Sequence, residues 1–597
     1  MDRKSIIILV VAIGLYFLLT PVVDHYFPPK EVPVSMLATN RAESKPSNYA
    51  NPSPVARASS PGASEAAVAR TESSRPEQTL TASNAYLVWH FTSRGGGLKE
   101  VDLTSYPSVI RHPGYPKPAS NALASLNHNA PLPVLAVMGR DLEGDGDFAL
   151  TRRGNMVRAE KTLSNGLRVV KEFDVATNYP VETGSNYLFK ARVRLENTTS
   201  QPLRVPERDV VIGTATATGP LDDPTTMGAF WYNGVKSQKI LDSWFANRTL
   251  GCFPGTPRWQ YEEGASNVVW AAIHNQFFAL AAIPANPAWE LVVDKIGVPP
   301  PDMNGPTNSM SAYLTNGYRT ALIYPALVLG PRQSAETAFL LYAGPKEYKG
   351  LAELGQTMNN NLDLIMDFTG VMGFFSKLLL WSMNELNELG LGYGLSIIGI
   401  TVIIKLVFWP LTNASTKSQK RMQALQPQLK AITDKYKDDA VKRNEKTMEF
   451  YKQHKVNPMG GCVPMLIQLP VMYGFYWMMR GAIELRGAHF LWAFDLSQPD
   501  TIATLAGFPV NPMPLIMGAT QLWQSHMTPA APGMDPGQQK LMRWMPVMMI
   551  AIFYKMSSGL VLYWTVSNLL SILQMKLTKT TEDPVPATAP VPLKKKR

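Results

Sequence analysis

Lys405 is the residue of this sequence whose surroundings point most clearly to chemistry, because it is the one charge in a long apolar stretch. It is the only charged side chain among the 28 residues from Leu389 to Thr416. An ammonium on the lipid side of a bilayer costs about 3 kcal/mol, so the side chain should face a water-filled cavity or an acidic partner. No Asp or Glu lies inside the other long apolar stretches. The sequence therefore favours a hydrated cavity, and a buried ion pair is the alternative.

Other polar side chains lie in similar apolar surroundings and could line the same cavity. Thr401 precedes Lys405 by one helical turn, which places both on one helix face. Amides and a hydroxyl follow at Gln468, Gln521, Gln524, Ser567 and Asn568. Each alone is more typical of contacts between helices, but together with a lone cation they predict a polar groove inside a membrane. Methionines such as Met472 suit a surface that accepts varied apolar sequences, and contact with lipid is an equal alternative.

The elements that must position these residues are membrane helices. Five stretches of this 597-residue chain contain no more than one charge over about the ~20 residues that a helix needs to cross a bilayer, which excludes a purely soluble protein. The stretches are Ser5–Val23, Leu389–Thr416, Val456–Met479, Thr501–Met534 and Met556–Met575. The two cysteines exclude a disulfide framework and a four-cysteine zinc site.

The distribution of charge predicts the orientation of these helices. Segment 415–455 carries eleven Lys and Arg against five Asp and Glu, and the tail ends in Lys594-Lys595-Lys596-Arg597. Cytoplasmic segments carry such an excess of positive charge, so both are expected in the cytoplasm. That arrangement requires a sixth crossing at the short apolar stretch between Arg543 and Lys555. We therefore predict six transmembrane helices with both termini in the cytoplasm.

A large extracytoplasmic domain should follow the first helix. Residues 28–85 are rich in Pro, Ala, Ser and Asn, which predicts a flexible tether. From residue 86 to 345 short runs alternate between apolar and polar residues, as in Phe189–Glu196, and predict an all-β sandwich. We find no defensible catalytic cluster there, and Ser93–Gly97 is expected to be a tight turn, since it lacks the Lys of a phosphate loop. An amphipathic helix at 371–387 is expected to lie in the outer interface of the membrane, and a buried connector is the alternative.

The cytoplasmic segment 415–455 is expected to form a basic helical hairpin. Apolar residues at 422, 425, 429, 432 and 436 form one helical stripe, and a second helix is expected at about 439–452. The hairpin would suit an anionic partner such as the ribosome or lipid headgroups. A solvated hairpin that only sets the topology is an equal alternative.

These observations divide the chain into consecutive segments. The predicted order is a transmembrane anchor at 1–27, the tether at 28–85, the β-sandwich at 86–345, a connector at 346–388, membrane helices at 389–414, 456–480, 509–528, 539–556 and 557–576, joined by segments 415–455, 481–508 and 529–538, and a basic cytoplasmic tail at 577–597.

Several motifs resemble the YidC-type membrane protein insertases. Val456-Asn457-Pro458-Met459-Gly460-Gly461-Cys462 followed by Pro464–Pro470 resembles the third membrane helix of that family. Three further matches occur in order: Trp409–Thr412, Gln538–Pro546 and Ser558–Asn568. The resemblance is specific over about 390–580, and elsewhere it consists of the overall architecture and the turn at Ser93–Gly96.

The resemblance implies an insertase of the bacterial inner membrane that needs no nucleotide, cofactor or metal and is not an enzyme. It implies a five-helix core around a groove whose cation attracts acidic client segments. Lys405 occupies the position where the family usually has Arg, with Thr401 as a groove residue and Met472, Tyr563 and Trp564 on helices that contact clients. The expected partners are newly made membrane proteins, the Sec translocon, the ribosome through the basic hairpin and tail, and lipids. A small-molecule transporter or channel and a structural assembly scaffold are the competing functions.

Overall fold

The structure is a computed structural model, and it describes most of the chain from residue 76 to 578. The described ranges are 76–110, 122–139, 142, 146–175, 186–219, 222–248, 253, 255–299, 315–436, 439–454, 463–505, 508–527 and 536–578. The predicted anchor, residues 28–75 of the tether, most of segment 529–538 and the tail after residue 578 lie outside these ranges. The chain divides into two compact units, one of residues 27–367 with 481–484 and one of the remaining residues.

The first unit is built mainly from short β-strands. In chain order the first eleven are β1 (Thr79–Ser83), β2 (Leu87–Thr92), β3 (Gly97–Pro107), β4 (Leu123–Leu126), β5 (Val137–Gly139), β6 (Ala149–Arg153), β7 (Met156–Thr162), β8 (Leu167–Asp174), β9 (Leu188–Asn197), β10 (Leu203–Val205) and β11 (Arg208–Ala215). The next nine are β12 (Gly228–Tyr232), β13 (Ser237–Leu241), β14 (Gln260–Glu263), β15 (Trp270–His274), β16 (Phe278–Pro284), β17 (Glu290–Gly297), β18 (Asn316–Tyr324), β19 (Leu327–Leu329) and β20 (Ser334–Pro345).

These strands form three large antiparallel sheets that share one hydrophobic core. The strand orders are β1-β2-β3-β4, β14-β17-β18-β11-β5 and β13-β12-β15-β16-β20-β9-β8-β7-β6, and β10 pairs with β19. Alternate residues point inward, as in β9, where Phe189, Ala191 and Val193 join the core and the residues between them do not. The predicted β-rich domain is therefore confirmed, and its strands at 86–91, 167–175, 189–196, 289–296 and 337–342 match β2, β8, β9, β17 and β20.

The boundary of the predicted tether is wrong by several residues. Strand β1 lies inside the segment that composition assigned to the tether, and it pairs with β2 from Thr79–Thr92 to Ser83–Val88. Its sequence, Thr-Leu-Thr-Ala-Ser, contains one large apolar residue, so alternation was not visible. The strand is stabilised by its pairing with the more apolar β2, and the local composition of residues 79–83 gives no sign of that pairing.

A buried lysine supports the turn at Ser93–Gly97. Lys171 of β8 is fully buried, donates a hydrogen bond to the carbonyl oxygen of Gly95 and lies 4.6 Å from the ring centroid of Phe148. Gly96 has a φ of 56°, and a Cβ there would lie 2.3 Å from Phe148 Cγ. The predicted tight turn is thus confirmed. Burial, with a smaller contribution from the charge of Lys161, lowers the pKa of Lys171 to about 7.

Eleven α-helices are present in the described part of the chain. The short α1 (Asp242–Ala246) and α2 (Tyr348–Thr357) belong to the first unit, which also contains 3₁₀ turns at Pro224–Thr226 and Leu362–Met366. The second unit contains α3 (Gly370–Glu388), α4 (Gly392–Val407), α5 (Trp409–Ala424), α6 (Gln426–Lys435), α7 (Ala440–Gln453), α8 (Val463–Gly481), α9 (Pro512–Met527), α10 (Pro536–Phe553) and α11 (Ser558–Leu577), with a small hairpin of β21 (Ala503–Leu505) and β22 (Phe508–Val510) before α9.

The predicted single helix at 389–414 is wrong, because the structure divides it into α4 and α5. The two helices meet at Phe408 with a bend of 63°. Pro410 follows the break directly; proline lacks a backbone N–H and clashes with the preceding turn, so it is tolerated in the first turn of a new helix. Lys405 consequently lies in the last turn of α4.

The packing of the second unit is centred on α11, which contacts both α4 and α9. Helix α3 packs against α4 and α10 against α9. Helix α8 approaches α3 closely at Gly474. Ser376 Oγ donates a 3.0 Å hydrogen bond to the carbonyl of Gly474. A Cβ atom on residue 474 would lie only 2.6 Å from Phe375 Cβ. Small residues allow such approaches between membrane helices.

The segment predicted to form a basic hairpin contains two helices that contact each other, α6 and α7. Helices α6 and α7 share a small core of Leu425, Leu429, Phe450 and Tyr451. Asp439 caps α7 by accepting a hydrogen bond from the backbone N–H of Lys442 at 3.0 Å. The apolar stripe at 422–436 was predicted to lie on one helix. The structure divides it at Leu425, because α5 ends at Ala424 and α6 begins at Gln426.

Length and hydropathy identify few unambiguous membrane spans among the described helices. Helix α11 is long and apolar enough to cross a bilayer alone, and α4 with Trp409–Ser418 meets the same criterion as a bent pair. Trp544–Phe553 of α10 is a shorter apolar helical segment.

Candidate functional site

Lys405 begins a short chain of hydrogen bonds that joins α4 to α11. Its Nζ donates to Ser571 Oγ at 2.9 Å. The Ser571 hydroxyl in turn donates to the carbonyl oxygen of Ser567, one turn earlier, at 2.8 Å. Because the single hydroxyl proton is committed to that carbonyl, the oxygen of Ser571 is free to accept from the ammonium. The backbone carbonyl of Ser567 thus stabilises the ammonium indirectly, through the hydroxyl of Ser571.

No ion pair involves Lys405 among the residues that the structure describes. Its Nζ has no Asp or Glu oxygen within ion-pair distance in those ranges. An ammonium has three donors, and one of them is bonded to Ser571. The remaining donors are available to water or to a visiting anion.

A small cavity adjoins the ammonium. Its volume is about 20 Å³, which is room for about one water molecule. Its walls come from α4, α5, α8 and α11: Thr401, Ile404, Lys405, Phe408, Leu411, Thr412, Gln468, Tyr563 and Ser567. The cavity as it stands has no room for a polypeptide segment.

Four of the nine residues predicted for the site line this cavity: Lys405, Thr401, Gln468 and Tyr563. Thr401 is buried and donates to the carbonyl of Ile397 at 2.6 Å. Gln468 Nε2 lies 3.4 Å from Ser567 Oγ, and the ring of Tyr563 stacks on Phe475 with centroids 4.0 Å apart.

The other five predicted residues do not line the cavity. Three of them connect α9 to α11, since Trp564 Nε1 donates to Gln521 Oε1 at 3.3 Å and Asn568 Nδ2 donates to Thr520 Oγ1 at 3.2 Å. Gln524 lies further along α9, and Met472 lies on α8 beyond Gln468. Helix α11 therefore presents polar groups to two neighbours.

A polar seam between α11 and the bent pair was missed by the sequence analysis. Gln574 Nε2 donates to Thr412 Oγ1 at 2.5 Å, and Thr578 Oγ1 lies 2.9 Å from Asn413 Oδ1. Lys420 Nζ donates to the carbonyl of Thr578, just past the end of α11, at 2.6 Å. One signal was present: polar residues at 567, 571, 574 and 578 recur at intervals of four, three and four, which is one helix face.

No metal centre accompanies this site in the described ranges. No group of three or more His, Cys, Asp or Glu side chains there could hold a metal ion. The polar groups at the seam are an ammonium, hydroxyls and amides, which suit hydrogen bonding and charge attraction.

Two models of known protein families match this chain, one over the helical unit and one over the β-rich unit. Residues 385–584 match the family model described as "60Kd inner membrane protein", so the helical unit is that of a bacterial-type inner membrane protein. Residues 80–382 match the model described as "YidC periplasmic domain". The chain belongs to the YidC family of membrane protein insertases, which are not enzymes.

Individual relatives agree with this assignment. The membrane protein insertase YidC of Pelobacter propionicus is 29% identical over 98% of this chain and 100% of its own length. That of Francisella tularensis subsp. novicida is 30% identical over 71% of this chain and 70% of its own. A crystal structure of an active YidC insertase with its first transmembrane domain resolved is 18% identical, covers 85% of this chain and 94% of its own, and has a TM-score of 0.33.

Proposed function

We propose that this chain inserts newly made proteins into the bacterial inner membrane and assists their folding, without nucleotide hydrolysis. The observation that carries the proposal is a partly buried cation with spare donors and no carboxylate partner in the described chain. An acidic client segment would be drawn to this cation. One unit charge at about 6 Å and an effective dielectric of about 20 contributes roughly 3 kcal/mol, less than the whole driving force but enough to alter insertion strongly.

The polar seam would lower the barrier for the hydrophilic part of a client. A polar segment loses hydrogen bonds in lipid, and the hydroxyls and amides along α11 would replace some of them. Separation of α11 from α4 and α8 would open the small cavity into a groove. The apolar segment of the client would then leave sideways into lipid, and its transfer to hydrocarbon would supply the free energy.

We further propose six membrane crossings, with both termini cytoplasmic and the β-rich unit in the periplasm. The crossings are the apolar stretch at 5–23, the bent pair α4–α5, and α8, α9, α10 and α11; the last five would form the insertase core. Support comes from the apolar α11 and bent pair and from the basic charge of segment 415–455. The basic hairpin and the tail would contact the ribosome and anionic lipids, and the Sec translocon would be a further partner.

The test is insertion by the purified chain in liposomes, with a matched pair of single-spanning clients that differ only in an acidic or neutral external segment. Lys405→Arg should retain activity, since the charge is kept. Lys405→Ala and Lys405→Glu should lose insertion of the acidic client far more than of the neutral one. Equal loss for both clients, or no loss for either, would contradict the charge mechanism.

The same assay separates the competing functions. A transporter or channel would conduct small solutes in these liposomes without inserting either client. A structural scaffold would do neither. Insertion of both clients without added nucleotide is the result we expect.

A further inference from the structure

The loop between α8 and α9 combines buried polar groups with exposed apolar ones. Asp500 is 1% exposed, and its Oδ2 accepts hydrogen bonds from the Met513 backbone N–H at 2.6 Å and from Trp492 Nε1 at 2.9 Å. In contrast, Leu505 is 74% exposed and Phe508 is 62% exposed. Large apolar side chains that are exposed side by side mark a surface that interacts with a partner or a membrane.

The exposed pair lies at the tip of a small hairpin with two different faces. In the β21–β22 register, Leu505 is paired with Phe508 and Thr504 with Pro509. Paired residues share a face and successive residues alternate between faces. Leu505 and Phe508 therefore form an apolar face, and Thr504 points to the opposite side.

Polar contacts fix this hairpin to the end of α10. The Tyr554 hydroxyl donates to the Pro509 carbonyl at 2.6 Å, and Asn511 Nδ2 donates to the Tyr554 carbonyl at 2.7 Å. Tyr554 directly follows α10, and α9 begins at Pro512, one residue after Asn511. The apolar face is consequently held at a set position beside the ends of two helices.

We propose that Leu505 and Phe508 insert into the interfacial layer of the lipid bilayer and anchor these ends of α9 and α10 at that depth. On α9, Leu515 and Ile516 are also exposed, 50% and 42%, one turn after the helix begins. Apolar side chains that dip into the boundary between headgroups and acyl chains bind a membrane surface in this way. The inference rests on the proposed membrane crossings.

A lipid surface fits this pair better than a protein partner does. Two side chains expose far less area than the roughly 800 Å² per partner that a stable protein interface buries. Insertion into a bilayer does not require a surface of complementary shape. The exposed residues Leu515 and Ile516 near the start of α9 are also apolar. A second copy of the chain is therefore the alternative that the experiment must exclude.

The first experiment measures depth with single nitroxide labels at positions 505, 508, 504 and 573, in a variant lacking Cys252 and Cys462 reconstituted in liposomes. Labels at 505 and 508 should collide several-fold more with oxygen than with a water-soluble nickel complex, relative to the label at 504. The label at 504 controls for the apolar character of the nitroxide, because Thr504 is exposed on the opposite face. Nickel access at 505 and 508 equal to that at 504 would overturn the inference.

Leu573, 49% exposed on α11, tests the crossings separately. If its label lies in lipid while 505 and 508 lie in water, the anchor alone is wrong. If its label lies in water, the proposed crossing by α11 is wrong, and the anchor with it.

The second experiment asks whether the pair sets the depth of α9. In the double variant Leu505→Asp/Phe508→Asp, a label at 516 should shift toward water, whereas Thr504→Asp should leave it unchanged. An unchanged label in the double variant would contradict anchoring. Dipolar broadening between labels at 505 that disappears on dilution with unlabelled protein would assign the face to a second copy and would also overturn the proposal.

Discussion

Each unit of this molecule contains a lysine that has no ion pair with a carboxylate of the described chain, and the two lysines differ in what surrounds them. Lys171, in the β-rich unit, is fully enclosed between a backbone carbonyl and the ring of Phe148. Lys405, in the helical unit, is partly buried and adjoins a cavity with room for about one water. The first lysine is thus enclosed by protein atoms, whereas the second adjoins a cavity.

The difference shows that burial of a charge does not by itself define a site. Lys171 stabilises the turn that it contacts, at the cost of a strongly depressed pKa. Lys405 shares its cavity with a glutamine, two threonines and a tyrosine, so a visiting anion would find both charge and hydrogen-bonding groups. The adjoining cavity and its polar residues therefore distinguish Lys405 from the enclosed Lys171.

The largest effect is expected from Ser571→Asp, which tests whether Lys405 acts through an available charge. A carboxylate at this position would pair with the ammonium that now bonds to the hydroxyl at 2.9 Å. The groove would lose an attraction of roughly 3 kcal/mol for acidic segments. Insertion of the acidic client should fall by at least about tenfold, while the neutral client is nearly unaffected.

Ser571→Asn is the matched control, because it keeps an acceptor without adding charge. It should retain the preference for the acidic client. If the Asp and Asn variants behave alike at equal protein level, the serine has only a packing role and the charge mechanism loses its support.

The next effect concerns Lys171 and the pH dependence of the β-rich unit. Burial lowers the pKa of Lys171 to about 7 in the folded chain, against about 10.4 when unfolded. Between these values the unfolded chain holds a proton that the folded chain has lost, so the free energy of unfolding rises with pH. Below pH 7 both states hold it, and the penalty is constant.

Urea unfolding of the separately expressed unit at pH 7 and pH 9 should therefore show a rise of up to about 2 kcal/mol from this group. Lys171→Met should remove the rise, and Lys190→Met, at an exposed position of β9, should keep it. A rise of the same size in both variants would mean that another group titrates.

A smaller effect is expected from Gln574→Leu, which removes one bond of the polar seam. Thr412 would keep its own hydrogen bond to the Phe408 carbonyl at 2.9 Å, so the loss should be about 1 kcal/mol of stability. Thermal unfolding in detergent should show this decrease. The ratio of acidic to neutral client insertion should stay unchanged; a change in that ratio would extend the charge-sensing site along the seam.

Local pattern predicted much of both units but not the contacts between distant segments. Alternation located β8 and β9, and the isolation of Lys405 in apolar sequence identified the cation. The break before Pro410 was readable from proline chemistry and was missed because the apolar run continued across it. Ser571 and Gln574 were missed because their partners lie more than 160 residues away in the chain, and no local pattern records which helix face packs on which.

The smallest effect is expected from removal of the β-rich unit, and this result would test whether the two lysines are independent. Deletion of residues 76–367 removes all described strands from β1 to β20, whereas a deletion limited to 90–340 would leave fragments of the sheets, namely β1 with the first residues of β2 and the end of β20. All cavity residues lie after position 400, so insertion of both clients should stay within about twofold, or about 0.4 kcal/mol. The preference for the acidic client should also persist, because no residue that lines the cavity belongs to the β-rich unit. A stably folded deletion variant that no longer inserts either client would place part of the active machinery in the β-rich unit. The proposal that Lys171 has only a structural role, while Lys405 attracts clients, would then be contradicted.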